Sequence, residues 1–402
     1  MTDDAERQDP DFESTEIAFA SMSDEDLRQA YWMFRSFQSP LLSTWGPKLL
    51  SWAVQQGLPL ESLIRSTVFR QFCGGETVQE CVEKINHLGS FGVATILDYS
   101  VEGLDGDDEE RSFDAAVVEL KKVMEFAAQR KDIPFAVFKP SAIGSAALWT
   151  AVASHRELTE LEERQWALVR GRFRDLCASA SVAGVPILID AEQSWWQPAV
   201  DACAEEMMRE FNGARPIVYN TVQMYRNDRL AYLRHLHQFS QERRCWVGVK
   251  LVRGAYMEKE RLRAQRLNYA SPIWSTKDAC DAAFNEGLEF CVNHIDCFAL
   301  CCGTHNEEST RYLTELMTKA ALTSRDERIY FSQLLGMSDH ITFSLSKAGY
   351  RVAKYMPYGP VREVLPYLSR RARENSSISN QSSRELSLIR AELKRRRLVP
   401  QD

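Results

Sequence analysis

The residues best suited to chemistry stand near the C-terminal end, in the stretch RVAKYMPYGPVREVLPYLSRRAREN from Arg351 to Asn375. A strand-like run, Val352 to Met356, breaks at Pro357, Gly359 and Pro360, and a helical pattern follows. On such a helix Tyr367, Arg370, Arg371 and Glu374 recur at i, i+3, i+4 and i+7 and share one stripe. Val361, Leu365, Leu368 and Ala372 make a second, apolar stripe suited to packing. Two adjacent guanidiniums on one side of a helix can hold a planar carboxylate in a fixed orientation. The bland counterpart is a solvated basic helix laced with i,i+4 pairs. Pro366 is expected in the first turn, where a missing N–H costs nothing.

Eight short apolar, β-branched runs precede or include this stretch, most separated by helical pattern. They are Gly92–Tyr99, Phe135–Ser141, Val185–Glu192, Pro216–Gln223, Trp246–Val252, Cys297–Thr304, Ile329–Leu335 and Arg351–Met356. Alternating βα units imply a parallel sheet, and eight of them imply a closed barrel. The competing architecture, an open doubly wound sheet, wants G-x-G-x-x-G after its first strand, and that motif is absent, as is a P-loop. Barrel chemistry occurs at the C-terminal strand ends. There stand Lys139, then Asp190-Ala191-Glu192, Gln223, Lys250 leading into Val252-Arg253-Gly254-Ala255-Tyr256, Thr304-His305-Asn306, Gln333-Leu334 and Tyr355. Seven strand ends of eight carry a long polar or charged group, which marks one face as a site. Its cations (Lys139, Lys250, Arg370, Arg371), carboxylate (Asp190) and phenols (Tyr256, Tyr355, Tyr367) suit a small anionic or zwitterionic substrate. They name no reaction.

Composition narrows the rest. With 402 residues and 45% hydrophobic content the chain can bury the core of one barrel plus extensions. A formal net charge of −7 argues against nucleic acid as a partner. No apolar run approaches the roughly 20 residues of a membrane span. The acidic N-terminus, MTDDAERQDPDFESTE, has neither an apolar h-region nor an arginine-rich amphipathic pattern, so a bacterial cytoplasmic protein is expected. Residues 1–15 are expected to be disordered and 16–90 to form a helical arm, with Leu49, Leu50, Trp52 and Ala53 on an apolar face. The barrel should occupy 91–376 and a basic helical tail 377–402, the tail read as solvated in preference to a membrane-surface contact. The charged segment EKERLRAQR after Met257 reads as a solvated helix too. Ten cysteines read as reduced core thiols, and Cys291, His294 and Cys297 lack the four-ligand spacing of a closed zinc site, so no metal is expected.

YMPYGP followed by PYLSRRAREN resembles the signature of the proline dehydrogenase family. The motifs FAVFKPSA, ILIDAEQ, NTVQMY, VGVKLVRGAY, THN and FSQLLGM stand in the family's order, over roughly residues 70 to 395. VGVKLVRGAY is closest to the eukaryotic sub-type, with Lys250 and Arg253 where many bacterial members have arginine and lysine. The resemblance implies a distorted (βα)8 TIM-type barrel with its last helix over the barrel mouth. It implies FAD-dependent oxidation of L-proline to Δ1-pyrroline-5-carboxylate, with electrons passed to a quinone. It also implies a peripheral contact with the inner membrane and a pyrroline-5-carboxylate dehydrogenase acting next on the product. Carried over by position, Ala191, Gln223, Lys250, Val252, Arg253, Gly254, Ala255, Thr304, His305, Asn306, Gln333 and Glu374 would hold FAD, with Lys250 near flavin N5. Lys139, Arg370 and Arg371 would bind the substrate carboxylate, and Tyr256, Leu334, Tyr355 and Tyr367 would wall its ring. Asp190, taken with Lys250 as catalytic, would order the pocket through Tyr355 or Lys139. The alternatives are a hydroxyproline dehydrogenase and a non-catalytic barrel that serves as a binding module.

Overall fold

The protein is described here from a computed structural model, in which the described residues are 9–37, 64–100, 109–377 and 379–398. Among them, eight strands close into a barrel in sequence order: β1 (Ala94–Tyr99), β2 (Phe135–Phe138), β3 (Ile187–Ile189), β4 (Val218–Gln223), β5 (Val247–Val252), β6 (Phe298–Gly303), β7 (Ile329–Leu334) and β8 (Val352–Tyr358). Strand neighbours pair in parallel, with Thr221 opposite Lys250 and Lys250 opposite Cys301. Every residue of β2, β3, β4 and β8 is buried. Burial on both faces is why these strands read as continuous apolar runs without alternation. Each of the eight expected runs contains one strand. β8 departs in detail, since it runs on through Pro357, which pairs with Asp98 of β1.

The chain forms two compact units, residues 1–101 with 333–402, and residues 102–332. The second holds β2 to β6, most of β7 and their helices. β4 and β5 approach closely there: a Cβ on Gly248 would lie 2.5 Å from the Val218 carbonyl oxygen. The helix Met257–Leu267 is largely solvated, as its charge implied, with Leu262 exposed by 52%. Ala264 and Glu260 are the exceptions, Glu260 fully buried and accepting from the Ser194 amide at 2.6 Å and its hydroxyl at 2.5 Å.

In the first unit, which also holds β1 and β8, both terminal segments share one core. Phe19, Leu27 and Phe34 pack with Phe72, with Val364 and Leu368 of the helix Val361–Ser377, and with Leu386, Ile389 and Leu393 of the helix Ser379–Arg395. The tail is thus a packed helix and not a solvated one, because its apolar stripe finds the helix Asp24–Phe37. Its basic end is spent locally: Arg396 donates to the Met22 and Phe19 carbonyls at 2.9 and 2.8 Å and pairs with Glu392. Residues 9–14 do not form a loose tail either, since Phe12 is buried and Ser344 Oγ donates to the Asp11 carbonyl at 2.5 Å. Leu49, Leu50, Trp52 and Ala53 lie outside the described residues.

Pro366 falls inside the helix and not in its first turn. The helix starts earlier because the Glu363 and Val364 amides reach the Pro360 carbonyl at 2.9 and 3.2 Å. An interior proline costs about 3 kcal/mol, which burial of Val361, Val364, Leu365 and Leu368 offsets. All ten cysteines are free thiols, and burial pushes the thiols of Cys81 and Cys203 up to about 12.

Leu393→Ala measures how much the tail belongs to the fold. Truncating a buried leucine should lower unfolding free energy by about 2–5 kcal/mol, whereas a solvated helix position would change it by less than about 0.5 kcal/mol. Urea denaturation distinguishes the two.

Candidate active site

In the second unit the strand ends converge by hydrogen bonds more than by sequence. β3 ends at Ile189, and the Asp190 amide continues the ladder by donating to the Phe138 carbonyl at 2.9 Å. Lys250 points inward from β5, its side chain 8% exposed, and its Nζ lies 2.6 Å from Asp190 Oδ1. The pair spans from β3 to β5, past the intervening β4. The sequence reading gave Asp190 other partners and did not name this one. Such a buried pair is held by geometry, since two desolvated charges break even only when close and further hydrogen-bonded.

On β4, Gln223 is buried and its Nε2 donates to the Glu192 carbonyl at 3.0 Å. Its Oε1 is buried and accepts nothing among the described residues. A buried acceptor without a donor is a destabilising arrangement in an empty protein and a ready one for a ligand N–H. The Glu192 carboxylate in turn accepts from the Ser141 amide and hydroxyl, both at 2.9 Å, which ties the loops after β2 and β3 together. Lys139, half-buried, directly precedes that loop at the end of β2.

Beyond β5 the backbone keeps pairing, with the Met224 amide on the Val252 carbonyl and the Tyr225 amide on the Arg253 carbonyl at 2.8 and 2.7 Å. Gly254 has φ +130°, and a Cβ there would meet the Tyr225 ring at 2.5 Å. Only glycine fits that turn. Ala255 is exposed, and half-buried Tyr256 precedes the helix Met257–Leu267.

Arg253 is pinned along its whole edge. Nε donates to Asp281 Oδ1 at 2.7 Å, Nη1 to Thr304 Oγ1 at 2.7 Å and Nη2 to Ser309 Oγ at 2.9 Å. Its plane stacks 4.4 Å from the Phe284 ring centroid. Burial pushes the Asp281 carboxyl up, but hydrogen bonds from Lys277 and Arg253 outweigh it and hold it below the usual range. Thr304 Oγ1 also accepts from the Asn306 amide at 3.1 Å, and Asn306 Oδ1 caps the helix Glu307–Lys319 through the Ser309 amide at 2.7 Å. His305, half-buried, stands between them. Asp281, Phe284 and Ser309 were invisible to sequence reading, since their role appears only once the helices Lys277–Asn293 and Glu307–Lys319 meet the segment after β5. Of the metal-like trio, Cys297 Sγ donates to the His294 carbonyl and the His294 ring Nδ1 faces the Phe290 carbonyl at 2.8 Å.

The first unit holds the remaining residues. Gln333 is buried, with Oε1 accepting from Thr342 Oγ1 at 2.9 Å. Leu334 is half-buried, and the Leu335 amide donates to the Tyr355 carbonyl at 2.9 Å, so the two walls named from sequence are joined through backbone. Tyr355 is 6% exposed. On the helix after β8, Arg371 is 7% exposed, its guanidinium 5.1 Å from the Tyr367 ring centroid, while Arg370 is half-buried. The i,i+4 stripe is therefore a cation–π pair, not a solvated face. The Glu374 side chain lies outside the described residues.

A family profile described as proline dehydrogenase matches residues 81–384. The chain belongs to the proline dehydrogenase family. That makes it an oxidoreductase. Human mitochondrial proline dehydrogenase 1 is 41% identical over 241 residues, spanning 59% of this chain and 40% of the human protein. A carbapenem antibiotics biosynthesis protein, CarD of Pectobacterium carotovorum subsp. carotovorum, is 38% identical over 337 residues, spanning 84% of this chain and 85% of the relative. Among solved structures, proline utilization A from Bdellovibrio bacteriovorus inactivated by N-propargylglycine matches with TM-score 0.67 and 18% identity, over 91% of this chain and 37% of that one. The chain thus spans less than half the length of the human and Bdellovibrio proteins, and at 18% identity the latter speaks for the barrel alone.

In this member of the family the Lys250–Asp190 pair yields a direct test. Asp190→Asn should destabilise the protein by about 3 kcal/mol, the low end for a buried pair losing one partner, because Asp190 keeps 14% exposure. Asp190→Asn with Lys250→Met should recover most of that loss. An Asp190→Asn melting temperature equal to that of the wild type would show that the pair contributes nothing.

Proposed function

We propose that the chain oxidises L-proline to Δ1-pyrroline-5-carboxylate with FAD as cofactor and passes the electrons to a quinone. The observation that carries this reading is the second unit's strand ends: buried Lys250 on β5, and on the adjacent β4 the buried, unpartnered acceptor Gln223 Oε1. That acceptor fits a flavin ring, whose imide N–H needs one. Val252, Arg253, Gly254 and Ala255 would support the flavin and its pyrophosphate. The absence of a side chain on Gly254 lets backbone approach closely. Thr304, His305 and Asn306 would meet the nucleotide half, and in the first unit Gln333 and Glu374 are assigned to the cofactor too. Bound FAD supplies the two-electron acceptor.

The chain's own groups do the rest. Arg370 and Arg371 take the substrate carboxylate and fix the orientation of the ring. Lys139 supplies a further cation, and Tyr355, Tyr367, Leu334 and Tyr256 exclude water from the pyrrolidine. Proline reacts with its nitrogen neutral: the ring C–H beside nitrogen breaks with loss of hydride, the nitrogen lone pair forms C=N, and the N–H proton leaves to solvent. Lys250 places positive charge where electron density accumulates, steadied by Asp190. The product imine, or its hydrolysed aldehyde, is the substrate of a pyrroline-5-carboxylate dehydrogenase. A quinone acceptor fits the lack of a dinucleotide fingerprint. It also calls for a peripheral membrane contact, since among the described residues no helix is long and apolar enough to cross a membrane.

Purified protein should be yellow, with flavin absorption bleached by L-proline and restored by a quinone analogue but not by NAD at the turnover rate. Colourless protein that takes up no FAD would sink the reading.

Arg370→Met and Arg371→Met should each keep FAD and raise the proline KM by about 10–150-fold, the loss of ~1.5–3 kcal/mol from a charge-assisted bond. Steady-state kinetics with unchanged KM in both would remove the clamp.

Buried Tyr355 crowds a ring substituent, and burying a hydroxyl without a partner costs about 1–3 kcal/mol. Proline should therefore exceed trans-4-hydroxy-L-proline in kcat/KM by about 5–150-fold, and Tyr355→Ser should narrow the gap. Equal efficiency on both substrates would mean that the enzyme acts on hydroxyproline.

A further inference from the structure

The first unit contains a buried charged network that no step above uses. Lys354 is 1% exposed, in a strand whose neighbouring residue, Tyr355, faces the opposite side. Its Nζ lies 2.6 Å from Asp339 Oδ1 and donates to the Met337 carbonyl at 2.6 Å and the Leu334 carbonyl at 3.4 Å. From the C-terminal helix, Glu385 (3% exposed) accepts from the Ser338 amide. Gln71, from the N-terminal segment, donates to the Gly336 carbonyl at 3.2 Å. Gly336 has φ +75° and Ser338 φ +52°, so the loop from 334 to 339 turns twice through the left-handed region. A serine there is strained unless its surroundings over-determine it. Lys354, Glu385 and Gln71, from three distant parts of the sequence, supply that constraint.

We propose that Lys354 and Glu385 are positioning residues, which hold the 334–339 loop so that Leu334 and Gln333 keep the placement the reaction needs. An aliphatic residue would serve as well as Lys354 if packing against the helices were the only demand on that face of β8. An ammonium with one carboxylate and two carbonyl partners is instead a bracket for a loop. The bracket reaches the substrate wall twice, through the Leu334 carbonyl and through the Leu335 amide on the Tyr355 carbonyl. Glu385 closes it from behind. Burial pushes the Glu385 carboxyl up, so glutamine, which keeps the accepting oxygen, is its conservative substitute. The C-terminal helix is thereby a part of the site's support, although none of its residues is assigned to the substrate. The inference rests on the assignment of Leu334 and Tyr355 to the substrate ring.

The test uses full-length, flavin-loaded protein. Glu385→Leu removes the acceptor and keeps the bulk, Glu385→Gln restores the acceptor, and Gln71→Met loosens the same loop from a half-buried position. Hydrogen–deuterium exchange without substrate should quicken at residues 335–338 in Glu385→Leu and Gln71→Met but not in Glu385→Gln. The proline KM should rise by between about 5- and 100-fold in Glu385→Leu, less in Gln71→Met, and return in Glu385→Gln, with flavin content unchanged in all. Glu385→Leu protein that folds, exchanges faster at the loop and keeps its KM would overturn the proposal. If Glu385→Leu does not fold, faster loop exchange in Gln71→Met with an unchanged KM overturns it equally. Wild-type protein that does not turn over proline would instead defeat the functional reading, and the exchange data would still show whether the network holds the loop.

Discussion

A parallel strand leaves a row of backbone donors and acceptors on each side, and closing eight such strands on themselves satisfies all of them without an edge. Closure is the constraint from which the other features follow. It buries both faces of the strands, so the interior admits charge only where opposite charge or hydrogen bonds are built in, as with Lys250 and Asp190. It draws β4 and β5 so close that Gly248 can carry no side chain. It also leaves polar groups one place to gather, the C-terminal strand ends and the loops that follow them.

Much of this was legible in sequence because both-face burial writes itself as unbroken apolar runs, and each run ends where the chain turns polar. The strand ends were legible for the same reason: Lys139, Asp190, Gln223 and Thr304 interrupt runs that otherwise have no use for them. That Tyr367 and Arg371 share one stripe followed from helical spacing alone, whereas their cation–π contact did not. The elements misread share a physical cause. Pro366 was placed in a first turn because propensity is local, whereas Pro360 and tertiary burial set where the helix begins. The basic tail looked solvated because its partners, Phe19 and Leu27 among them, lie hundreds of residues away.

Single charges that become buried are harder still to read. Glu260, Glu385 and Glu392 sit in helices whose charge density suggests solvent, yet each is at most 3% exposed. What distinguishes them is a waiting partner: the Ser194 amide, the Ser338 amide, and the Arg395 and Arg396 guanidiniums respectively. None of those pairings has a short-range signature except the last, at i+3 and i+4. Lys354 is the exception in the other direction: a lysine inside an apolar strand, whose neighbour Tyr355 faces the opposite side, itself signals a polar demand there, and the sequence reading passed over it.

The ten thiols have a practical consequence. Alkylation and oxidation both proceed through the thiolate, and burial raises the pKa of every one of these cysteines. A maleimide or disulfide reagent therefore finds few handles on the folded chain. Cys291 and Cys302, fully buried in a helix against the barrel and in β6, become reactive only when that part of the molecule opens. Their labelling rate is a built-in clock for how often the barrel breathes, readable without any engineered probe.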